Sequence, residues 1–347
     1  MYRTHDGGKT WRLITAGLPE DAPINTVRED PVRKGLLFAG SETGVWASFD
    51  DGDRWQSLQL NLPHTSMRDL WIHDNDLIVA THGRSFWILD DITRLRQIKD
   101  SVGQSSAWLF EPAPAWRVRR DTNTDTPLPP DEPFGENPPD GAILDYFLRQ
   151  PASGPVRLEI LDAKGDVIRR YTSTDQPEPA EAALKTLGIP PLWVRPPRIL
   201  LSGAGMHRWI WDLHCSPPES LRHGYPISAV PHDTPRLPQG PRVLPGVYTV
   251  RLTTDGRTLS APLTVKMDPR VKTATAGLQR QFDIETQLAS MMTRSTIAIR
   301  QARSVQEQVE KLTHQASGPV AEQLAAIEKS VKAELGAAGR PFGPRPA

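Results

Sequence analysis

The sequence lacks the cysteines, the net charge and the long apolar runs on which several classes of protein depend. Cys215 is the one cysteine among 347 residues, so the chain can form no internal disulfide and no cysteine-based metal site. Its 41 basic and 41 acidic residues leave a formal net charge of zero, which argues against nucleic acid or an anionic membrane as partner. No apolar stretch is long enough to span a bilayer, and no secretory signal stands at Met1.

Metal and cofactor motifs are also missing from the sequence. His64, His73 and His82 do not have the spacing of metal ligands, and neither a metal nor a cofactor is predicted. In contrast, the chain is rich in proline, with 34, and in tryptophan, with 10. This composition favours a β-rich protein with many loops over an α/β enzyme core, and the length suits two or three domains.

Two segments near the beginning of the chain share one pattern, an aspartate followed by a turn and a tryptophan. They are residues 4–11 and 48–55, and they align without a gap at a spacing of 44 residues. The aligned pairs are Asp6 with Asp50, Gly8 with Gly52 and Trp11 with Trp55. A repeat of about 40–50 residues that is rich in short strands is typical of a β-propeller.

The hydrophobic pattern divides the chain into five parts. Residues 1–98 alternate short strands with turns and predict propeller blades, and residues 99–140 predict a proline-rich linker that is irregular over residues 121–140. Residues 141–268 return to β patterning and predict an immunoglobulin-like or fibronectin-like β-sandwich. Residues 269–338 have helical periodicity around a Gly-Pro break and predict a helical hairpin, and residues 339–347 predict a disordered tail. The predicted fold class is therefore mainly β, with α-helices at the C-terminal end.

The two repeated segments resemble the Asp-box, or BNR repeat, of sialidase-like and sortilin-like propellers, whose pattern is Ser/Thr-x-Asp-x-Gly-x-Thr-Trp. The first segment keeps every position, and the second has Arg54 in place of the threonine. Further motifs, in residues 40–45, 81–91, 205–213 and 244–251, are similar to those of bacterial BNR-repeat glycosyl hydrolases. In that family a large sortilin-like propeller is followed by a β-sandwich and a helical C-terminal region.

This resemblance implies that the chain is the C-terminal part of a larger secreted, periplasmic or envelope protein that acts on glycans or binds them. The chain would then supply propeller closure and accessory domains to a glycosyl hydrolase. An alternative is a non-catalytic, sortilin-like scaffold that binds a protein or peptide partner. A third interpretation is a truncated product whose unpaired blade edges promote aggregation.

The residues of the two repeated turns are predicted to be structural. In such a turn the aspartate accepts hydrogen bonds from backbone N–H groups, the glycine adopts an angle that other residues disfavour, and the tryptophan packs the turn against its blade. This role is predicted for Asp6, Gly8, Trp11, Asp50, Gly52 and Trp55. The resemblance implies the same, because Asp-boxes lie on the outer rim of propellers, away from the central site.

Four other carboxylates are candidates for catalysis, namely Glu42, Asp69, Asp90 and Asp91. An inverting glycosidase needs two carboxylates about 6.5–9.5 Å apart across a cleft, a distance that the sequence does not give. A sialidase-like mechanism needs an arginine cluster, a tyrosine nucleophile with a glutamate partner and an acidic aspartate. That pattern is absent from the sequence.

The segment from His82 to Arg84 is the candidate binding loop. Its histidine and arginine suit an anionic or hydroxyl-rich ligand at a strand junction. The simpler interpretation is a turn in which Gly83 sets the bend and Arg84 pairs with Asp90 or Asp91.

Trp209 and Trp211 alternate along a predicted strand and therefore share one of its faces. A platform on which carbohydrate rings stack is one interpretation of this pair. A position in the core of the predicted sandwich is the simpler one. Cys215 has no base close to it in sequence and is interpreted as a small buried or loop residue.

Overall fold

The computed structural model describes most of the chain, namely residues 1–119, 135, 137–178, 184–186, 188–226 and 232–338. The predicted disordered tail, residues 339–347, lies outside the described residues. Within the described ranges the protein is mainly β, with several separate sheets and a helical region at the C-terminal end. At this level the predicted fold class is confirmed.

Residues 1–98 form antiparallel sheets in which strands consecutive in sequence are neighbours. The first sheet contains β1 (Tyr2–Arg3) and β2 (Arg12–Leu13). The second contains β3 (Ile24–Glu29), β4 (Leu37–Ser41), β5 (Val45–Ser48) and β6 (Gln56–Ser57). The third contains β7 (Met67–His73), β8 (Asp76–Thr81) and β9 (Phe86–Leu89). This order follows from the short connections, because tight turns can join only antiparallel neighbours.

The second and third sheets pack against each other around one hydrophobic cluster. Strands β3 and β4 contact β7, and the cluster is filled by Phe38, Met67, Leu70 and Leu77, all with 0–1% exposure. Helix α1 (Thr93–Gln97) follows β9 and adds Leu95 to the same cluster. Burial of these side chains fixes the relative position of β3 and β7, the two strands that meet at the candidate site.

A second β region forms two sheets around another core. Its strands are β10 (Ala107–Leu109), β11 (Ala115–Arg117), β12 (Ala142–Leu148), β13 (Arg157–Leu161), β14 (Val167–Thr172), β15 (Gly205–Trp211), β16 (Gly246–Thr254) and β17 (Arg257–Met267). The smaller sheet has the order β10-β12-β15 and the larger the order β11-β17-β16-β13-β14. Trp209 and Trp211 are 8% and 0% exposed in this core, so the core interpretation is confirmed and the carbohydrate platform is not.

Residues 99–119 of the predicted linker form a helix and two strands that pair with the second β region. Helix α2 (Asp100–Gln104) is followed by β10, which pairs with β12, and by β11, which pairs in parallel with β17. The prediction of a linker therefore does not hold for these residues. A three-residue strand is too short to show alternation, and its partner lies far away in sequence. Residues 120–134 and 136 of the predicted linker lie outside the described residues.

The C-terminal helices are α3 (Thr275–Thr313) and α4 (Pro319–Ala338), which contact each other after a bend at Gly318, where φ is +63°. Helix α3 is held to the second β region by Glu219, whose carboxylate pairs with Arg300 at 2.7 Å and whose carbonyl accepts a hydrogen bond from Thr296 Oγ1 at 3.1 Å. In the ranges described, no helix has both the length and the apolar character that crossing a bilayer requires.

Candidate functional site

The first repeated turn is closed by hydrogen bonds from its own residues. Thr4 Oγ1 donates to Asp6 Oδ1 at 2.9 Å and accepts the N–H of Gly8 at 2.9 Å. Asp6 in turn accepts the N–H of Thr10 at Oδ1, 2.9 Å, and its hydroxyl at Oδ2, 2.7 Å. The backbone of Gly8 has φ +89°, a conformation that glycine adopts without steric cost.

The second turn repeats this arrangement except for the Thr10 hydroxyl bond, because Arg54 stands at the equivalent position. Ser48 Oγ donates to Asp50 Oδ1 at 2.8 Å and accepts the N–H of Gly52 at 2.8 Å. Asp50 Oδ1 accepts the N–H of Arg54 at 2.8 Å, and Gly52 has φ +91°. The two aspartates are thus occupied by backbone N–H groups of their own turns, which is the structural role that the sequence predicted.

The tryptophans of the two turns differ in what surrounds them. Trp55 is 4% exposed, and its indole Nε1 donates to the carbonyl of Ile14 at 3.1 Å. Trp11 is 60% exposed, and its indole Nε1 donates to the carbonyl of Gly8 in its own turn at 3.0 Å. Both indole donors are satisfied, but only Trp55 packs its turn against a neighbouring segment.

Strands β3 and β7 each contain a β-bulge near the end at which they face the loop after β4. The register shifts at Asn25 in β3 and at Arg68 in β7. Both bulge residues reach the same carboxylate, because Glu42 Oε1 accepts Asn25 Nδ2 at 2.9 Å and lies 3.5 Å from Arg68 Nη1. Bulges are frequent beside active sites because the extra residue redirects a side chain, and here two of them converge on Glu42.

Glu42 is held in its ionised form by this surrounding. The pKa of its carboxyl is lowered, first by the hydrogen bond from Asn25 and then by that from Ser66, with the charges of Arg68 and His82 adding to the effect. A carboxyl with a lowered pKa carries no proton at neutral pH. Glu42 is therefore suited to accept hydrogen bonds or a proton, and unsuited to act as a general acid.

Asp69 lies on the same seam between β3 and β7. Its Oδ1 accepts Arg28 Nη2 at 2.6 Å and Thr26 Oγ1 at 3.2 Å, both from β3, and the N–H of Leu70 at 2.8 Å. The Arg28–Asp69 pair is open to solvent, with side chains 39% and 55% exposed. The structure thus brings two of the four catalytic candidates, Glu42 and Asp69, to one solvent-facing seam.

The predicted binding loop is a tight turn between β8 and β9, with Gly83 at φ +78°. The N–H of His82 donates to the carbonyl of Ser66 at 2.8 Å, and the charge of His82 acts on the Glu42 carboxylate. Arg84 is exposed, and no ion pair joins it to Asp90 or Asp91 among the described residues. The loop therefore contributes His82 to the seam and leaves the Arg84 guanidinium in solvent.

Asp90 and Asp91 lie at the other end of the third sheet. The N–H of Asp91 bonds to Asp76 Oδ1 at 3.0 Å, at the beginning of β8, whereas His82 follows its end. Six residues of strand separate these positions by about 20 Å, at roughly 3.3 Å per residue. This distance separates Asp90 and Asp91 from the Glu42 carboxylate.

The backbone of Asp90 and Asp91 joins the third sheet to the second β region. Arg208 of β15 donates to their carbonyls at 2.7 and 2.8 Å and forms two further bonds, of 2.9 and 3.0 Å, to Asp145 of β12. Arg94 of α1 also bonds to Asp145, at 3.1 Å. These contacts make the Asp90–Asp91 corner a connection between two parts of the fold.

Sequence reasoning missed Asn25, Arg28 and Arg68, which bind the seam carboxylates from β3 and β7. The bulges that place Asn25 and Arg68 could not be predicted from the alternation of apolar and polar residues along the strands. One extra residue shifts that alternation by one position and leaves no other mark in the sequence. Among the described residues no group of three or more His, Cys, Asp or Glu side chains could hold a metal ion. No protein-family model, curated protein or solved structure matches the chain.

Proposed function

We propose that residues 1–98 are neighbouring blades of an Asp-box β-propeller and that residues 141–268 are an Ig-like or fibronectin-like sandwich. The observation that carries this proposal is a pair of hydrogen bonds that recurs in the two turns: the hydroxyl of Thr4 or Ser48 donates to Asp6 or Asp50 and accepts the N–H of Gly8 or Gly52. Equivalent turns in successive sheets are what a propeller repeat requires. In this arrangement β3 and β7 are the first strands of adjacent blades.

We propose further that the chain is the C-terminal part of a secreted or envelope BNR-repeat protein of the glycosyl-hydrolase type, and that it binds glycans at the Glu42 cluster. This cluster consists of Asn25, Glu42, Arg68 and His82 and offers both hydrogen-bond donors and acceptors to solvent. A hydroxyl-rich ligand uses groups of both kinds, and charged groups form the stronger hydrogen bonds.

The electrostatics of the cluster favour binding over hydrolysis by this chain. Glycoside hydrolysis requires one carboxyl that keeps its proton at the working pH. Glu42 is held ionised, and Asp69 is paired with Arg28 at 2.6 Å. A hydrolytic parent protein would then take its general acid from elsewhere.

Binding to an array of neutral and acidic oligosaccharides tests the glycan proposal. Arg68→Gln removes a charged hydrogen-bonding group, and a loss of affinity of about tenfold or more is expected. Arg157→Gln, which removes an exposed arginine at the start of β13, is the matched control and should bind as the wild type does. An array without a single reproducible ligand would refute the proposal.

Release of sugars from the same oligosaccharides separates binding from hydrolysis. If the chain hydrolyses a bound glycan through Glu42, Glu42→Gln should abolish product formation and leave binding in place. We expect no product from the wild-type chain, because a protonated acid is missing from the cluster. Product formed by the wild type would overturn that expectation and leave glycan binding supported.

A non-catalytic scaffold for a protein or peptide partner is the second candidate, and one observation favours it. Strand β9 pairs only with β8 among the described residues, and it exposes Phe86 and Ile88 at 75% and 58%. An extended peptide can add to such an edge through its main chain. Peptides with apolar residues at alternate positions should bind the wild type. Phe86→Ser should lower the affinity for these peptides more than the affinity for the sugars.

A further inference from the structure

An open cleft lies between the edge of the larger sheet in the second β region and the first turns of α3. Its volume is about 760 Å³. One wall carries the arginines Arg117 and Arg119 at the end of β11 and Arg242, and the other carries Leu288 and Met292 of α3. We call this space the arginine cleft.

Arg117 is buried without an anionic partner. The residue is 7% exposed, yet the only hydrogen bond of its side chain within the described residues runs from Nη1 to the thioether sulfur of Met267, at 3.7 Å. Its Nε is buried and has no acceptor at all in the described structure. A buried guanidinium normally has oxygen partners, because its charge has lost the hydration of water and needs hydrogen bonds in exchange.

Arg96 shows how the same protein satisfies a buried arginine. Its Nε bonds to both carboxylate oxygens of Asp30, at 3.1 and 2.9 Å, its Nη1 to Asn75 Oδ1 at 2.5 Å, and its Nη2 to the Asp74 carbonyl at 2.7 Å. All three nitrogens are thus used. Arg117 lacks this set of acceptors, which leaves its guanidinium available to an anion that enters the cleft.

The other arginines on this wall do not relieve the charge. Arg242 donates Nη2 to the Val118 carbonyl at 2.6 Å, and its Nε is buried without an acceptor among the described residues. Burial lowers the pKa of Arg242, the negative charge of Asp140 opposes this shift, and the positive charges of Arg117 and Arg119 act in the same direction as burial. The arginines of this wall therefore repel one another, and Asp140 offsets part of that repulsion at Arg242.

Five other titratable residues line the cleft, and they leave this charge incompletely matched. Arg195 is paired with Asp233 at 2.7 Å and lies 3.8 Å from Asp140, whose negative charge also acts on Arg242. Burial lowers the pKa of His214, which makes it neutral at pH 7.

Glu285 of α3 is the acidic residue that acts on Arg117. Its Oε2 accepts the backbone N–H of Arg242 at 3.2 Å, and its Oε1 accepts Gln281 Nε2 at 2.7 Å. Its charge favours the ionised form of Arg117, but no ion pair within 4.0 Å joins the two in the described structure. Glu285 therefore offsets part of the charge from a distance.

We propose that the arginine cleft binds an organic anion, with its carboxylate, sulfate or phosphate group on Arg117 and Arg242 and its apolar part against Leu288 and Met292. Two oxygens of a carboxylate or of a phosphate match the guanidinium fork and can accept two hydrogen bonds from it. The apolar wall accommodates the rest of such a ligand. This site is separate from the Glu42 cluster and does not depend on the glycan proposal.

Calorimetric titration of the full chain with octanoate, and with octanol as its neutral counterpart, tests this site. Octanoate should bind, octanol should bind at least tenfold more weakly, and inorganic sulfate should compete with octanoate. Arg117→Met should lower the affinity for octanoate at least tenfold, since charged hydrogen bonds are lost. Arg157→Gln is the control and should not change the affinity. Equal binding of octanoate and octanol, or no competition by sulfate, would overturn the proposal.

Two further measurements separate a ligand site from a purely structural arginine. Without ligand, Arg117→Met should melt at the same temperature as the wild type or higher, because it removes an unpaired buried charge. A marked fall in melting temperature would assign Arg117 to the fold and contradict the proposal. Glu285→Gln keeps the acceptor oxygen but removes the charge that competes for Arg117, and octanoate should then bind about threefold tighter or more. Unchanged or weaker binding by this variant would also contradict it.

Discussion

The two Asp-box-like turns share the hydrogen bonds of their Thr or Ser hydroxyl and of their aspartate Oδ1, and their glycines share one backbone conformation, yet their tryptophans lie in opposite surroundings. Trp55 is 4% exposed and Trp11 is 60% exposed. The conformation of the turn is therefore encoded within its own eight residues, since it forms with and without a covering segment. Burial of the tryptophan depends on what lies beside the turn.

The segment that covers Trp55 is the one that follows β2. The carbonyl of Ile14 accepts the Trp55 indole N–H, and the carbonyl of Ala16 accepts its backbone N–H at 2.8 Å. Gly17 approaches so closely that a Cβ there would lie 2.2 Å from the Trp55 carbonyl oxygen. No described segment covers Trp11 in this way. The comparison predicts that matched substitutions in the two turns differ in cost.

The largest difference is expected for truncation of the tryptophans. Trp55→Ala should lower the free energy of unfolding by about 3–5 kcal/mol, because it empties a buried aromatic site and removes a hydrogen bond. Trp11→Ala is the matched control and should stay within about 0.5 kcal/mol of the wild type. Chemical denaturation followed by circular dichroism measures both. Similar losses in the two variants would show that Trp11 is covered in solution and would break the comparison.

Alanine in place of the turn glycines should give the next largest difference. Both glycines have φ near +90°, so each substitution should cost about 1–2 kcal/mol in backbone strain. At Gly52 the added Cβ would also lie 2.7 Å from Ile14 Cδ1, whereas at Gly8 the nearest atom is Trp11 Cζ2 at 3.7 Å.

Gly52→Ala should therefore destabilise the protein more than Gly8→Ala in the same denaturation experiment. The double variant Ile14→Ala with Gly52→Ala isolates the clash, because it removes the atom that the new Cβ would meet. Its loss should be smaller than the sum of the two single losses. Additive losses would show that backbone strain alone accounts for Gly52.

The same contrast between local and distant contacts explains what sequence reasoning could reach. The turns of Asp6 and Asp50 were predictable, because every hydrogen bond that defines them lies within four residues. The strand Ala142–Leu148 was also predictable, since its seven residues carry a clear β pattern. In contrast, Ala115–Arg117 is a strand because it pairs in parallel with residues 265–267. Three residues carry no pattern that predicts such a distant partner.

The candidate site shows the same limit. Glu42 and His82 were named from the sequence as single residues in turns, and the structure places them side by side. Asn25 and Arg68 were not found, because their direction is set by a bulge in each strand and their meeting by packing of β3 against β7. The bulges and the packing are tertiary features, so Glu42 could be predicted from the sequence and its partners could not.

A smaller effect on stability is expected at the position where the first turn has Thr10 and the second has Arg54. Thr10 Oγ1 donates to Asp6 Oδ2 at 2.7 Å, and Arg54 at the equivalent position has no hydroxyl. Arg54→Thr should add this bond to Asp50 and stabilise the protein by about 0.5–1 kcal/mol. Arg54→Ala is the matched control, because it removes the arginine without adding the hydroxyl. Equal stability of the two variants would show that the bond does not form.

The smallest effect, and the most local, is the pH dependence of the first turn. The backbone N–H of Thr10, and then its hydroxyl, hold the pKa of Asp6 at about 2, below the ordinary value for aspartate near 4. A lowered pKa in the folded state means that the carboxylate stabilises the turn fully above about pH 4, and that this contribution is lost as the pH falls through about 2. Titration of the Asp6 carboxyl carbon by NMR should have its midpoint near 2, and Thr10→Val should move it upward, because the hydroxyl donor is removed and the backbone donor stays.

A midpoint near 4 in the wild type would mean that the exposed turn is open in solution. The conformation of such a turn would then depend on a covering segment, which the turn of Trp55 has and the turn of Trp11 lacks in the described structure.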